Sequence, residues 1–390
     1  MTNLTHTLQT ELFEAIERPE PIIEQLQDRA VFLLAPLSML GRMHGTSIAS
    51  TCSGLVAAID DVSTAATIHG APRWTSAQFI AKARAYPDAI ALDFSCNPGT
   101  RGLVQQLCKE AGIERIDCVV AQAQLKRWAV YEAVGTYRRR TLERFDDFLK
   151  LAERFDDDLS RATLYANLLF RVTYDRSHLL QIWANPADEY FSYYPDGNTF
   201  QLGSREHYCD CGAYRGPIVQ KFLEVTAHQY ASITAFEPDP ANFAILQQLS
   251  RHPLHNFHAI NKAVSNAPGE LSFHSDGSMG SHVSNQGNIS VATTRLDDEL
   301  EALTFLKLDV EGFEPQALQG AARLLRTHRP RIAAAAYHAT HDVLKIVEQV
   351  DQHAGDDYHY RLRQHYGSYY YDLVLYASPI AGVEPPPQAH

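Results

Sequence analysis

The chain of 390 residues is long for one domain and comfortable for two, each with a sizeable core. A hydrophobic content of 45% and a charged content of 21% exclude a disordered or fibrous chain, and a net charge of −12 with no basic run argues against a nucleic-acid partner. Six scattered cysteines make neither a disulfide scaffold nor a zinc pattern, and no stretch approaches about 18 apolar residues, so a cytoplasmic protein without membrane insertion is expected.

Residues 1–28 read as a helical segment in which Leu12, Phe13 and Ile16, then Ile23 and Leu26 beyond a Pro-Glu-Pro break, share an apolar stripe. Residues 29–123 alternate strands (AVFLLA, LVAAI, AIALDFS and DCVVA) with helices over 76–85 and 100–111. That alternation predicts a parallel sheet with helices on both faces, a Rossmann-like domain. Its glycine loop is degenerate: APLSMLG offers Gly41 alone, although Asp60 follows at roughly the interval of a ribose-binding acid. Nucleotide binding therefore competes with docking, substrate holding or dimerisation, which leaves a homo-oligomer open. Residues 124–190 turn helical and form a bridge to the C-terminal half. Asp158 and Ser160 supply capping chemistry for a helix carrying Ala162, Leu164, Tyr165, Leu168 and Leu169 on one face. Beyond it Tyr190, Phe191, Tyr193 and Tyr194 either wall a ligand cleft or pack as an ordinary linker.

Residues 191–379 hold the informative motifs, and 380–390 read as a flexible tail. In DCGAYRG (210–216) a strand runs into a glycine turn and then a helix over 217–223. Gly212 and Gly216 let the backbone turn tightly and approach a ligand, and the helix N-terminus offers unpaired amides. The next strand, 232–236, ends in Glu237-Pro238, near the spacing at which a carboxylate takes both hydroxyls of a ribose. Because the turn lacks the early glycine that admits a pyrophosphate, a cationic nucleoside without phosphate fits better than a dinucleotide. S-adenosylmethionine is such a molecule. Cys209 and Cys211 are expected to be packing residues on opposite faces of the strand.

DCGAYRG, AFEPDPANFAIL (235–246), NKAVSNAPGEL (261–271), TTRLDDEL (293–300), FLKLDVEGFEPQALQGA (305–321), IAAAAYH (332–338) and LVLYA (373–377) occur in an order that resembles the FkbM-type S-adenosylmethionine-dependent methyltransferases. The whole then becomes α/β with two doubly wound Rossmann-like sheets joined by a helical bridge. The resemblance implies that the C-terminal sheet is mostly parallel with a reversed final strand. Strands are expected to end at 209–211, Phe236, Ala263, Leu308 and Tyr337, before an antiparallel pair over 358–364 and 369–377 that turns at Tyr366-Gly367-Ser368.

Ligands sit at the C-terminal ends of strands in such sheets. Cofactor contact is therefore expected from Asp210 (through the ammonium group), Gly212, Ala213, Gly216, Glu237, Pro238, Lys262, Ala263 and Asp309, with 262–264 along the adenine. Helix capping is the other use open to Asp210 and Asp309. Asp309 and His338 are the candidate proton acceptors, and thus the candidate catalytic residues. His338 and His341 form H-x-x-H without a third ligand, so no metal is expected. The polar stretch GSMGSHVSN (277–285) reads as a substrate loop or a merely flexible one. By the resemblance the acceptor is a small molecule or carbohydrate, methylated on a hydroxyl of a sugar, glycan precursor or natural-product scaffold. Two other functions stay open: a nicotinamide-dependent sugar oxidoreductase or epimerase using the N-terminal sheet, and a non-catalytic cofactor-binding module.

Overall fold

The computed structural model describes residues 2–24, 26, 28–125, 132–184, 186–191, 202–251, 254–275, 282–283, 287–365 and 371–380. The chain forms two compact units, one of Met1–Phe145, Ala162–Ala184 and Tyr366–Tyr371, the other of Asp146–Arg161, Asn185–His365 and Asp372–His390.

The first unit contains strands β1 (Val31–Leu34), β2 (Leu55–Ile59), β3 (Thr67–Ile68), β4 (Ala71–Trp74), β5 (Ile90–Asp93) and β6 (Glu114–Asp117). They run in the order β3-β4-β2-β1-β5-β6, and only β3 pairs antiparallel. The helices are α1 (Thr2–Glu17), α2 (Met39–Ala49), α3 (Ser76–Lys82), α4 (Pro98–Ala111), α5 (Cys118–Leu125) and α6 (Tyr137–Glu143). Every residue of β1 and β5 is buried, as strands covered on both faces require; β1 is apolar throughout and β5 is apolar up to the charged Asp93 at its end. Thr75 and Gln78 close a capping box on α3, and Asn97 with Pro98 starts α4.

Local chemistry moves several expected features. DCVVA is no strand, because the Asp117 carboxylate accepts the Val119 N–H and turns the chain into α5, where Val119 and Val120 are buried. The buried stripe of α1 is Leu8, Leu12 and Ala15, whereas Phe13 is exposed. Gly41 serves packing: a Cβ there would lie 2.1 Å from the Pro36 carbonyl oxygen. Asp60 closes its own turn by accepting the Val62 and Ser63 N–H groups. At the C-terminal ends of β5 and β6 the space is taken by charge. Arg176, fully buried, donates to Asp117 at 2.9 Å and to the Asp93 and Ser95 carbonyls, while Arg101 and Arg115 pair with Asp93, Asp117 and Asp175.

Helix α7 (Phe145–Arg154) belongs to the second unit from Asp146 on, and α8 (Asp158–Thr173) crosses the division between Arg161 and Ala162. Asp157 accepts the Ser160 N–H, so the cap of α8 lies one residue before the expected one. The main sheet of the second unit is built from β7 (His207–Cys211), β8 (Ser232–Phe236) and β9 (Phe257–Ile260). A side sheet of β10 (Ala263–Val264), β11 (Gly269–His274), β12 (His282–Val283) and β13 (Ile289–Thr294) intervenes. Then β14 (Phe305–Leu308), β15 (Arg331–Ala335), β16 (Tyr358–Gln364) and β17 (Leu373–Pro379) complete the main sheet. Its order is β16-β17-β15-β14-β7-β8-β9, and β17, antiparallel to both neighbours, is the reversed strand. Helices α9 (Pro217–Val225), α10 (Pro240–Leu246), α11 (Leu296–Glu299), α12 (Glu314–Gln319), α13 (Ala322–His328) and α14 (Asp342–Ala354) connect the strands. A mixed α/β fold with two mostly parallel sheets is thus present.

Two expectations in this unit need correction. The third strand ends at Ile260 rather than Ala263. Asn261 breaks it by donating its amide to the Glu237 and Pro238 carbonyls, and Ala263 then enters the side sheet against Thr293. Cys209 and Cys211 share a face, sulfurs 3.6 Å apart, because alternate strand residues point the same way. Tyr193, Tyr194, the turn at 366–368, the tail at 381–390 and most of the polar stretch at 277–285 lie outside the described residues.

Candidate functional site

The two central strands, β7 and β14, run parallel with Asp210 opposite Lys307. Both side chains are buried and form an ion pair at 3.1 Å. Burial pushes the Asp210 pKa up, partly offset by Lys307, and the charge of Asp210 holds Lys307 protonated against the same burial. Lys307 also donates to the Gly212 carbonyl at 2.9 Å, and its Nζ lies 5.3 Å from the Tyr190 ring centre. Asp210 is therefore a strut of the glycine turn, acting through Lys307, rather than an open carboxylate awaiting an ammonium group.

The turn is pinned from both sides. Gly212 and Ala213 donate to the Phe236 carbonyl at the end of β8, and Asp309 N–H donates to the Cys211 carbonyl. Gly212 has φ +78°, and a Cβ on it would lie 1.8 Å from the Asp309 carbonyl oxygen. Glycine is thus required by the approach of β14 itself. Gly216, at φ +91°, precedes α9 and packs where a Cβ would meet Leu249 at 2.5 Å.

Glu237 stands directly after β8, 6% exposed. One carboxylate oxygen accepts the Tyr214 N–H of the glycine turn and the other the Asp239 N–H, each at 2.8 Å. Burial pushes its pKa up to about 7. Asp239 caps α10 and, with Pro238 ahead of it, fixes the exit of the strand. Glu237 and the glycine turn thus meet at the C-terminal ends of adjacent strands. Lys262 pairs with Glu299 at 2.6 Å, which leaves only its backbone and the neighbouring Ala263 for contact with a flat ring.

At the end of β14, Asp309 accepts the Tyr190 hydroxyl at 2.9 Å and the Tyr337 hydroxyl at 3.3 Å. Tyr190 is therefore tied to the site, whereas Phe191 packs in the core against Tyr208, Phe222 and Phe305. Further acids converge here. Burial first, then Asp372 and Asp309, push Glu189 up to about 8; burial and Asp309 push Asp372 up to about 7.

His338, after β15, sits among carboxylates: Nδ1 lies 3.3 Å from Glu314, and Nε2 lies 3.5 Å from Glu311 and 3.6 Å from Asp309. Burial alone would lower its pKa, but Glu314, Asp309 and Glu311 together outweigh that and push it up to about 10. Without another cation beside it the ring then carries its proton at neutral pH, a form that accepts no further proton; Asp309, 3.6 Å away, is the other candidate acceptor. His341 faces the Phe148 ring. Glu314 instead accepts the Val310 N–H at 2.8 Å and braces the turn in which Glu311 (φ +61°) and Gly312 (φ +92°) are left-handed.

Lys307, Glu314, Glu189, Asp372 and Tyr337 stand around this site although sequence reasoning gave them no part in it, whereas Glu311 was legible beside Asp309 as a carboxylate after the strand. The signal for two of them was on view in LKLDVEGFE: a lysine inside an apolar strand, and a further acid beyond Asp309 and Glu311.

Residues 210–368 match the methyltransferase FkbM domain family. A solved methyltransferase FkbM from Methylobacillus flagellatus KT superposes with a TM-score of 0.80 at 22% identity, over 96% of this chain and 100% of that one. That likeness carries the fold. An rRNA methylase from Streptococcus thermophilus matches at a TM-score of 0.31 and 14% identity, over 46% of this chain and 89% of its own, too little to bear on an argument. No curated protein matches the chain. Among the described residues no helix is long and apolar enough to cross a membrane.

Proposed function

We propose, for a chain whose residues 210–368 are a methyltransferase FkbM domain, that it transfers the methyl group of S-adenosylmethionine to a hydroxyl oxygen of a small-molecule or carbohydrate acceptor. The observation that carries this reading is the meeting of Glu237 with the glycine turn on neighbouring strand ends. A buried carboxylate there suits the two hydroxyls of a ribose.

The donor set fits the cofactor's charge. Glu189, Asp309 and Asp372 stand close enough to raise one another's pKa or that of a neighbour, so a sulfonium and an ammonium offset their charge where a pyrophosphate would add to it. Glu237 and Pro238 would hold the ribose; the turn from Gly212 to Gly216 and the backbone at Lys262 and Ala263 would flank the rest. When bound, S-adenosylmethionine supplies an electrophilic methyl group and leaves as the neutral thioether.

The chain's own task is to hold the acceptor oxygen in line and remove its proton. Asp309 is placed for both, its two oxygens oriented by Tyr190 and Tyr337. The test is incubation with methyl-labelled S-adenosylmethionine and a panel of sugar, glycan-precursor and polyketide hydroxyl acceptors. Label on a hydroxyl oxygen, lost in Asp309→Asn while S-adenosylhomocysteine still binds, supports the reading. Label only on nitrogen or carbon acceptors would refute the hydroxyl assignment.

A further inference from the structure

We propose that Asp309, Glu311, Glu314 and His338 form a divalent-cation site at the C-terminal ends of β14 and β15. Asp309, Glu314 and His338 each present a donor atom, all within 4.8 Å of one another. Glu311 adds a carboxylate oxygen 3.5 Å from His338 Nε2, and Asp309 lies 3.6 Å from the same nitrogen. Donors held about 2.1 Å from one ion stand roughly 3–3.5 Å apart, so the contacts of Glu311 and Asp309 with Nε2 need only a small contraction, and side-chain rotation closes the rest of the set around the ion.

A second observation points the same way. Oε2 of Glu311 and Oε2 of Glu314 are closed off from solvent and accept no hydrogen bond, and the Glu314 side chain is fully buried. Buried acceptors without a donor are costly, and a cation would satisfy both. Three carboxylates around one imidazole also leave net negative charge even when the ring is protonated, which a divalent ion offsets. Glu311 further holds a left-handed backbone, unusual for a residue with a side chain, and this conformation carries its carboxylate to His338.

Oxygen donors with a single imidazole suit Mn²⁺ or Mg²⁺ better than a thiolate-seeking ion. The role of the ion rests on the function proposed above. Beside Asp309 it would take a pair of neighbouring acceptor oxygens, as in a vicinal diol or a hydroxy acid, and make the hydroxyl proton easier to remove. Asp309 would face the ion through Oδ1 and keep Oδ2, bonded to Tyr190, for the acceptor.

The test is titration of the metal-stripped full chain with Mn²⁺, followed by electron paramagnetic resonance, in the wild type and in Glu311→Gln and Glu314→Gln, with S-adenosylhomocysteine binding measured in parallel. One Mn²⁺ per chain is expected, weakened about 10- to 100-fold in each variant. Should Glu314→Gln fail to fold, Glu311→Gln decides, because its side chain is partly exposed. Absence of Mn²⁺ binding in the wild type, or equal binding in Glu311→Gln, would overturn the site. Variant-sensitive Mn²⁺ binding without S-adenosylhomocysteine binding would uphold the cation site and refute the function on which its role rests.

Discussion

Lys307 puts a positive charge in the middle of an apolar sheet, and its partner Asp210 is the residue that begins the glycine turn. Removing one member of a buried pair strands the other, so Lys307→Met is expected to cost about 3–5 kcal/mol in urea unfolding. Adding Asp210→Asn to that variant should recover most of the loss. Equal stability of the single and double variants would contradict the strut role. The sequence displayed both residues, yet only Asp210 could be singled out. The partner of a strand residue is set by sheet order and register, which the period-two pattern of FLKLD does not contain. His338 shows the same limit: its position after a strand was legible, but the three carboxylates that fix its proton come together only in the fold.

At the scale of elements, the glycine turn is a junction of three strands, with Phe236 taking two of its amides and Asp309 closing over Gly212. Gly212→Ala adds a Cβ into the Asp309 carbonyl at a left-handed φ, and is expected to cost about 3 kcal/mol or more and to abolish binding of S-adenosylhomocysteine. Calorimetry with thermal unfolding checks both effects, and a stable variant with intact binding would show the turn to be more yielding. Strand–turn–helix here was plain from DCGAYRG and PIVQKFL, because glycine and proline have few alternative uses. DCVVA failed because a run of short apolar residues suits a buried helix as well as a strand, and Asp117 decides between them by capping. The side sheet was not anticipated, since β10 and β12 are two-residue strands without a periodic signal.

For the molecule as a whole, the second unit buries carboxyl groups at its strand ends. Glu237, held up to about 7 by burial, binds its proton more tightly folded than unfolded. Its contribution to stability therefore falls as pH rises from its ordinary value of about 4.5 through about 7, by an amount of order 3 kcal/mol. In Glu237→Gln the fall in stability of the cofactor-free protein between about pH 5 and 8, followed by urea unfolding, should shrink by that amount; an unchanged slope would contradict the burial account. The acidic composition was visible in the sequence, but not that one part of it gathers at the C-terminal strand ends of one sheet.

The most direct test is calorimetric titration of S-adenosylhomocysteine and of NAD(H) into the wild type and Glu237→Ala. The nucleoside requires the ionised carboxylate, so wild-type affinity should rise with pH up to about 7 and flatten above it. Glu237→Ala should lose about 1–3 kcal/mol of binding and that pH dependence together. Binding of NAD(H) alone, indifferent to Glu237→Ala, would contradict the account and move the search to the N-terminal sheet.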